Sequence, residues 1–323
     1  MALSKKDFLS IRDFSRAELD EILELCAAQK PLAKRFALPR THPGRVLACI
    51  FHKPSLRTRL SFEVAMHQLG GSTLYITDRE IGIGSREAPK DVANVLSRYV
   101  DGIMIRTFEQ RLVEELGRNA SVPVINGLTD LLHPCQILGD IFTIIEKLGT
   151  IDGKRVVFVG DGNNVSRSWL EAAARFDFTF VLAAPAGYEI EKPFVDVCRK
   201  DGAPDYHWIP DVREAVRGAD VVYTDVWTSM GQEAEKAAKD KAFAGYQVND
   251  GLMKLAAKNA IFMHCLPAHR GDEVTDAVID GPRSVVFDEA ENRLHIQRAI
   301  IALLMPGETK RAAPRPARGK ARR

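Results

Sequence analysis

155-RVVFVGDGNNVSRSWLEAAARF-176 is the stretch that decides the fold: an apolar β-type run over 155–160, a Gly-Asp-Gly-Asn-Asn turn, then a segment of helical period. Strand followed by helix is the repeating unit of a parallel sheet with helices on both faces. The same alternation extends outward in both directions. β-type runs at 45–51, 101–107, 121–126, 178–184, 219–225 and 260–265 alternate with helical candidates at 15–29, 58–70, 89–100, 109–117, 135–149 and 288–305. Ser15 and Glu18 have the spacing of a capping box, and Gly70 and Gly149 stand where helices stop. The polar run 150–155 reads as a hinge between two α/β units. The pattern predicts two parallel-sheet, three-layer α/β domains over 5–148 and 152–305, the second including a last helix.

Composition narrows the function classes. With 323 residues, 46% hydrophobic and 27% charged, the chain has the make-up of a soluble globular protein of two domains. Its apolar runs, such as 298–305, fall short of the ~20 residues that cross a bilayer, so no membrane association is expected. The charged opening segment lacks an apolar core, which makes the cytoplasm the expected compartment. Five cysteines without a CxxC pair argue against a disulfide framework or a zinc site. The net charge of +2 hides an asymmetry, because 306–323 carries seven Lys and Arg against Glu308. That basic tail is read as a disordered, solubilising extension and not a nucleic-acid arm, since no aromatic residue interleaves its charges.

Ligands of parallel sheets bind at the carboxyl ends of strands, so the chemistry is sought just after each one. Ser55-Leu56-Arg57-Thr58-Arg59 opens a helix, where free N–H groups and two guanidiniums suit a phosphate. Arg106 ends an apolar strand and must find a partner or a ligand. In 130-DLLHPCQILGD-140, His133 is placed to polarise a carbonyl, and Gln136 to accept from or donate to an amide. Gly160-Asp161-Gly162 lacks the third glycine of a dinucleotide turn, which disfavours a nicotinamide dehydrogenase. The segments 225-DVWTSMGQE-233 and 264-HCLPAHRGDEVT-275 put Asp225, Ser229, Cys265 and His269 on the rim of the second sheet. His264, His269, Asp272 and Glu273 match no metal-binding frame and read as a solvated polar loop. Each motif alone also has a plain structural reading, as a capped helix, an ion pair or a core histidine.

Together, and in this order, these motifs with 96-LSRYVDGIMIRT-107 and 291-ENRLH-295 resemble the aspartate/ornithine transcarbamylase family, on its ornithine branch, collinearly from about residue 6 to 305. The resemblance implies a last helix packed back on the first domain, no cofactor and no metal. It implies carbamoyl phosphate held by Ser55, Leu56, Arg57, Thr58, Arg106, His133, Gln136, Cys265, Leu266 and Arg293, with a cis Leu266–Pro267 bond. It further implies L-ornithine held by Asn164, Asp225, Ser229 and Met230, with Arg106, His133 and Cys265 as the catalytic set. A homotrimer with shared active sites is also implied, the loop 77–91 reaching a neighbour. Two positions depart from the family: Leu56 stands where Thr is usual, and Gly82 where many members have Gln, leaving Ser85 or Arg86 for the inter-subunit contact. The nearest rival readings are other carbamoyl acceptors, namely putrescine, N-acetylornithine or aspartate.

Overall fold

The computed structural model describes residues 3–203, 205–228, 231, 233–305 and 307, with the backbone only at Glu233. The first sheet is made of β1 (Val46–Phe51), β2 (Ser72–Thr77), β3 (Gly102–Arg106) and β4 (Val124–Leu128), in the order β2-β1-β3-β4. The second holds β5 (Arg155–Val159), β6 (Thr179–Ala183), β7 (Tyr206–Trp208), β8 (Val221–Thr224) and β9 (Ile261–His264), in the order β7-β6-β5-β8-β9. Every pairing is parallel. Central strands such as β1, β3 and β5 are apolar and buried on both faces, as strands covered by helices on each side must be. No helix among the described residues is long and apolar enough to cross a membrane.

Register decides what meets at the sheet edges. Phe51 pairs with Arg106, so the chain leaves β1 into His52–Ser55 beside the Arg106 side chain. In the second sheet Val159 pairs with Thr224, and Thr224 with His264. Gly160, Asp225 and Cys265 therefore follow at one level on one edge. β1/β3 and β5/β8 are also where the strand order reverses, the crevices in which open parallel sheets bind ligands.

The last helix, Val286–Leu304, lies against helices Arg16–Lys34, Leu56–Gln68 and Pro134–Leu148, which makes it part of the first domain's packing. Ile296, Ile300 and Ile301 are fully buried there, and Gly139 lets the helices approach until an added Cβ would sit 3.4 Å from Ile296. Arg298 is buried with them, its guanidinium donating to the side-chain oxygens of Gln29 and Gln68. Helix Asn164–Ala173 anchors the second domain through Trp169, which is packed against Phe178, Phe180 and Tyr223. Truncating a side chain so enclosed costs about 3–5 kcal/mol.

The Ser15/Glu18 capping box forms as expected. The helix it opens continues past the expected end at residue 29 to Lys34, with Pro31 inside it. Tertiary contacts hold this last turn, with Lys30 donating to Glu146 and Asn292 and Lys34 pairing with Glu291. β2 and β7 are additional to the expected strands; β2 is a partly exposed edge strand of polar and apolar residues, and β7 has three residues.

Candidate active site

The carboxyl edges of both sheets face one cleft of about 930 Å³. Its first wall begins at helix Leu56–Gln68. Ser55 is the N-cap, with Oγ accepting from the Thr58 N–H at 3.3 Å, and Leu56 and Arg57 are the first two helical residues. Their N–H groups have no acceptor in the helix and face solvent or a ligand. Leu56 itself is 69% exposed.

Arginines converge on this helix start. Thr58 is fully buried, and its Oγ1 accepts from Arg106 Nη1 at 3.4 Å and from Arg293 Nη2 at 3.0 Å. Burial and the charges of Arg293 and Arg57 pull Arg106 down to about 10. Arg293, also buried, is lowered by burial and by the Arg57 charge, against an opposing effect of Asp140. Among the described residues no carboxylate lies within ion-pair distance of Arg57, Arg106 or Arg293. A cluster of guanidiniums without counter-charge is costly in a protein and is relieved by an anion.

His133 caps helix Pro134–Leu148 at the back of the cleft, its backbone N–H donating to Ser168 Oγ at 2.7 Å. Burial, reinforced by Arg293, Arg106 and Arg57, holds its imidazole well below the usual range. It is therefore neutral, with a single ring N–H to offer. Gln136 is fully buried one turn along, its Nε2 donating to Asp140 at 2.8 Å and to Glu289 at 3.1 Å.

The second wall carries Asp225 and Cys265. Asp225 Oδ1 accepts from the Val226 N–H at 2.8 Å and from Cys265 Sγ at 3.2 Å, and Oδ2 accepts from Asn163 Nδ2 at 3.1 Å. Burial, then the Asp225 charge, pushes the Cys265 thiol well above its ordinary value, so it is a donor and not a thiolate. Asn164 bridges the domains, its Nδ2 donating to the Thr129 carbonyl at 2.6 Å. The Leu266–Pro267 peptide is cis, as the resemblance implied. Ser229 and Met230 lie outside the described residues.

The 264–275 segment is the expected solvated loop at His269 and Asp272, which are exposed, but not at its two other named residues. His264 and Glu273 are buried and hydrogen-bonded to each other at 3.0 Å, while His264 Nδ1 accepts from the Leu266 N–H at 2.9 Å. Asp225, His264 and Cys265 are close enough to suggest a metal site, but both ring nitrogens of His264 and the Cys265 thiol are already committed to these hydrogen bonds. The Gly160–Gly162 turn has a structural use for its second glycine. A Cβ on Gly162 would lie 2.6 Å from the Glu189 backbone, so that glycine serves a chain crossing.

Several cleft residues were not apparent in the sequence. Lys53, buried beside the phosphate turn, pairs with Asp130 and lies 4.2 Å from the Phe108 ring centre. Asn163 caps helix Asn164–Ala173 through its Oδ1, and the Asn-Asn pair after a strand was its one signal. Asp161 pairs with Lys239 at 2.5 Å.

Fold and site together define a two-domain α/β transferase, with an anionic donor on one wall of the cleft and an acceptor on the other. The chain belongs to the aspartate/ornithine carbamoyltransferase family: residues 6–146 match the model of its carbamoyl-P binding domain and 152–304 that of its Asp/Orn binding domain. It is 50% identical over 301 residues to an ornithine carbamoyltransferase of Syntrophus aciditrophicus, covering 93% of this chain and 100% of that one. Similarity to the enzyme of that name from Thermococcus kodakarensis is 50% over 310 residues, 95% and 98% of the two chains. Among solved structures, ornithine carbamoyltransferase from Pyrococcus furiosus superposes with a TM-score of 0.91 at 48% identity, over 94% of this chain and 98% of the other.

Proposed function

We propose that this protein transfers the carbamoyl group of carbamoyl phosphate to the δ-amine of L-ornithine, giving L-citrulline and phosphate. The observation that carries the reading is the group Arg57, Arg106 and Arg293 beside Thr58, with Arg293 buried, Arg57 and Arg106 partly so, and no described carboxylate within ion-pair distance of any of them. A small dianion with an activated carbonyl supplies the missing charge. Relatives covering nearly the whole chain at about half identity supply the acceptor.

In this reading the phosphate sits on the helix start at Ser55, Leu56, Arg57 and Thr58. Thr58 Oγ1 turns its lone pairs to Arg106 and Arg293, which leaves its hydrogen for the donor. The carbamoyl oxygen faces Arg106, neutral His133 and Thr58, which stabilise the charge that develops on it. Its –NH2 meets Gln136 and the backbone carbonyls of Cys265 and Leu266. The α-ammonium of ornithine pairs with Asp225, and Asn164, Ser229 and Met230 complete its seat. The uncharged δ-amine attacks the carbonyl carbon, forming the new C–N bond. The C–O bond to phosphate then breaks, and the leaving phosphate takes the amine proton. Cys265 orients Asp225 and does not attack, its thiol being held protonated. Rate enhancement then comes from positioning and electrostatics.

We further infer a homotrimer in which the loop 77–91 enters a neighbour's site. Within one chain no residue of this loop lines the cleft. Gly82 closes a short helix at φ 63, and a Cβ there would stand 3.0 Å from Arg86 Cβ, which explains Gly in place of a longer residue. Ser85 Oγ donates to the Gly82 carbonyl, and Arg86 forms an exposed ion pair with Glu87 at 3.0 Å, a weak surface pair that Arg86 can exchange for an anion in a neighbour's site. The reading is tested by mixing the protein with both substrates. Citrulline and phosphate must appear in equal amounts, and phosphate release without citrulline would refute it.

A further inference from the structure

Behind Gln136 two carboxyl groups are buried together. Asp140 lies one helical turn after Gln136, Glu289 one turn before Arg293, and both are fully buried. Glu289 Oε1 accepts from Gln136 Nε2 and from Tyr223 Oη at 3.1 Å, and its Oε2 accepts from the His264 N–H at 2.9 Å. Asp140 Oδ1 accepts from the same Nε2 at 2.8 Å. Burial pushes Asp140 up to about 7, and burial with the neighbouring Asp140 charge pushes Glu289 well above the usual carboxylate range. The pair keeps a proton at neutral pH, and the nearby Arg293 offsets its remaining charge.

A carboxamide has two donor hydrogens on one side and an acceptor on the other. Gln136 points its nitrogen at two acids, so its Oε1, buried and without a partner, is the atom left for the cleft that Gln136 lines. A buried acceptor left unpaired is unfavourable until an N–H arrives. Without the acids nothing would prefer this orientation over the flipped one, which would present an –NH2 to the ligand.

We propose that Asp140 and Glu289 are positioning residues that hold the Gln136 carboxamide with Oε1 toward the cleft, and thereby set the preference for a donor whose acyl group carries an –NH2 over a simple acyl phosphate. The inference rests on the carbamoyl-transfer reading and extends it to donor selection. In Asp140→Asn and Glu289→Gln the new –NH2 competes as a donor to Oε1 and releases the carboxamide to flip.

The test compares three ligands in the full-length protein: KM for carbamoyl phosphate, and inhibition constants for inorganic phosphate and for acetyl phosphate, which lacks the amine hydrogens. Either amide variant is expected to raise the carbamoyl phosphate KM about tenfold, the size of one lost hydrogen bond, with both inhibitors within about twofold of wild type. In a Gln136→Ala background the same substitutions should add less than about twofold, because the residue they act through is gone. Parallel weakening of all three ligands, an unchanged KM, or an equal effect in the Gln136→Ala background would overturn the proposal. Should Asp140→Asn not fold, Glu289→Gln carries the same comparison. A wild-type protein that forms no citrulline refutes the carbamoyl-transfer reading itself, whereas the variants of an active wild type judge donor selection alone.

Discussion

Arg293 Nη2 donates to Thr58 Oγ1 at 3.0 Å across 235 residues of sequence, so the last helix closes the cradle that the second helix opens. The first-domain site is thus incomplete without the final helix, and the packing of Val286–Leu304 serves the chemistry directly. Arg106 reaches the same hydroxyl from β3. Three distant segments converge on one oxygen, and among the described residues no carboxylate stands within ion-pair distance of the cations they bring.

Removing one of these charges should therefore raise the stability of the free protein while destroying function. Arg106→Met is expected to lower kcat/KM for carbamoyl phosphate by about 10² to 10³-fold, the usual loss for one charge-stabilising donor. The ligand-free protein should melt about 2 °C or more higher, because a buried cation without a partner is gone. Differential scanning calorimetry with and without phosphate reads both effects. A fall in the ligand-free melting temperature would show that Arg106 is already compensated.

Cys265 is an orienting donor to Asp225 and should act only on the acceptor half of the reaction. Cys265→Ala is predicted to raise the ornithine KM or lower kcat by about 10 to 100-fold, the range of one charge-assisted hydrogen bond, and to leave the carbamoyl phosphate KM within about twofold. Cys265→Ser, which keeps a donor, should retain more activity. Loss by many orders of magnitude at unchanged ornithine affinity would mean that sulfur takes part in bond making.

Glu171 makes a pH prediction away from the cleft. It is buried beneath the N-terminal segment, accepting from Ser10 Oγ at 2.9 Å, and burial pushes it up to about 7. Its pKa in the fold exceeds the unfolded value of about 4.3, so its contribution is fully present below that value and lost as pH rises to 7. Glu171→Gln should thus exceed wild type in stability at pH 8, by on the order of 2 kcal/mol, with the gain vanishing toward pH 4. Urea unfolding at the two pH values measures it, and a pH-independent difference would contradict the assignment.

How much of this was legible beforehand follows from the range of each interaction. The buried strands were evident because both faces are covered, so β1 and β5 read as unbroken apolar runs. β2 was not, since an edge strand is only partly buried and mixes Ser and Thr with its apolar residues. Ser55–Thr58 could be read as a helix start suited to an anion because cap, first turn and arginine are local, and the cap and helix start are where that reading put them. Asp140 and Glu289 could not be, because two acids on different helices show no sign in sequence that they share Gln136. The 264–275 segment looked solvated because its charges are dense, and the burial of Glu273 depends on a histidine nine residues earlier.

The central claim is carbamoyl transfer to ornithine, and it is tested most directly by acceptor competition. The protein is given carbamoyl phosphate with ornithine, putrescine, N-acetylornithine or aspartate, and the carbamoylated products are counted. Saturable citrulline formation with ornithine ahead by at least about 10²-fold in kcat/KM is the predicted result, as two further charged groups on the acceptor must each find a partner. A different amine in front would overturn the ornithine assignment and the roles given to Asp225 and Asn164, and no turnover with any acceptor would contradict the account as a whole.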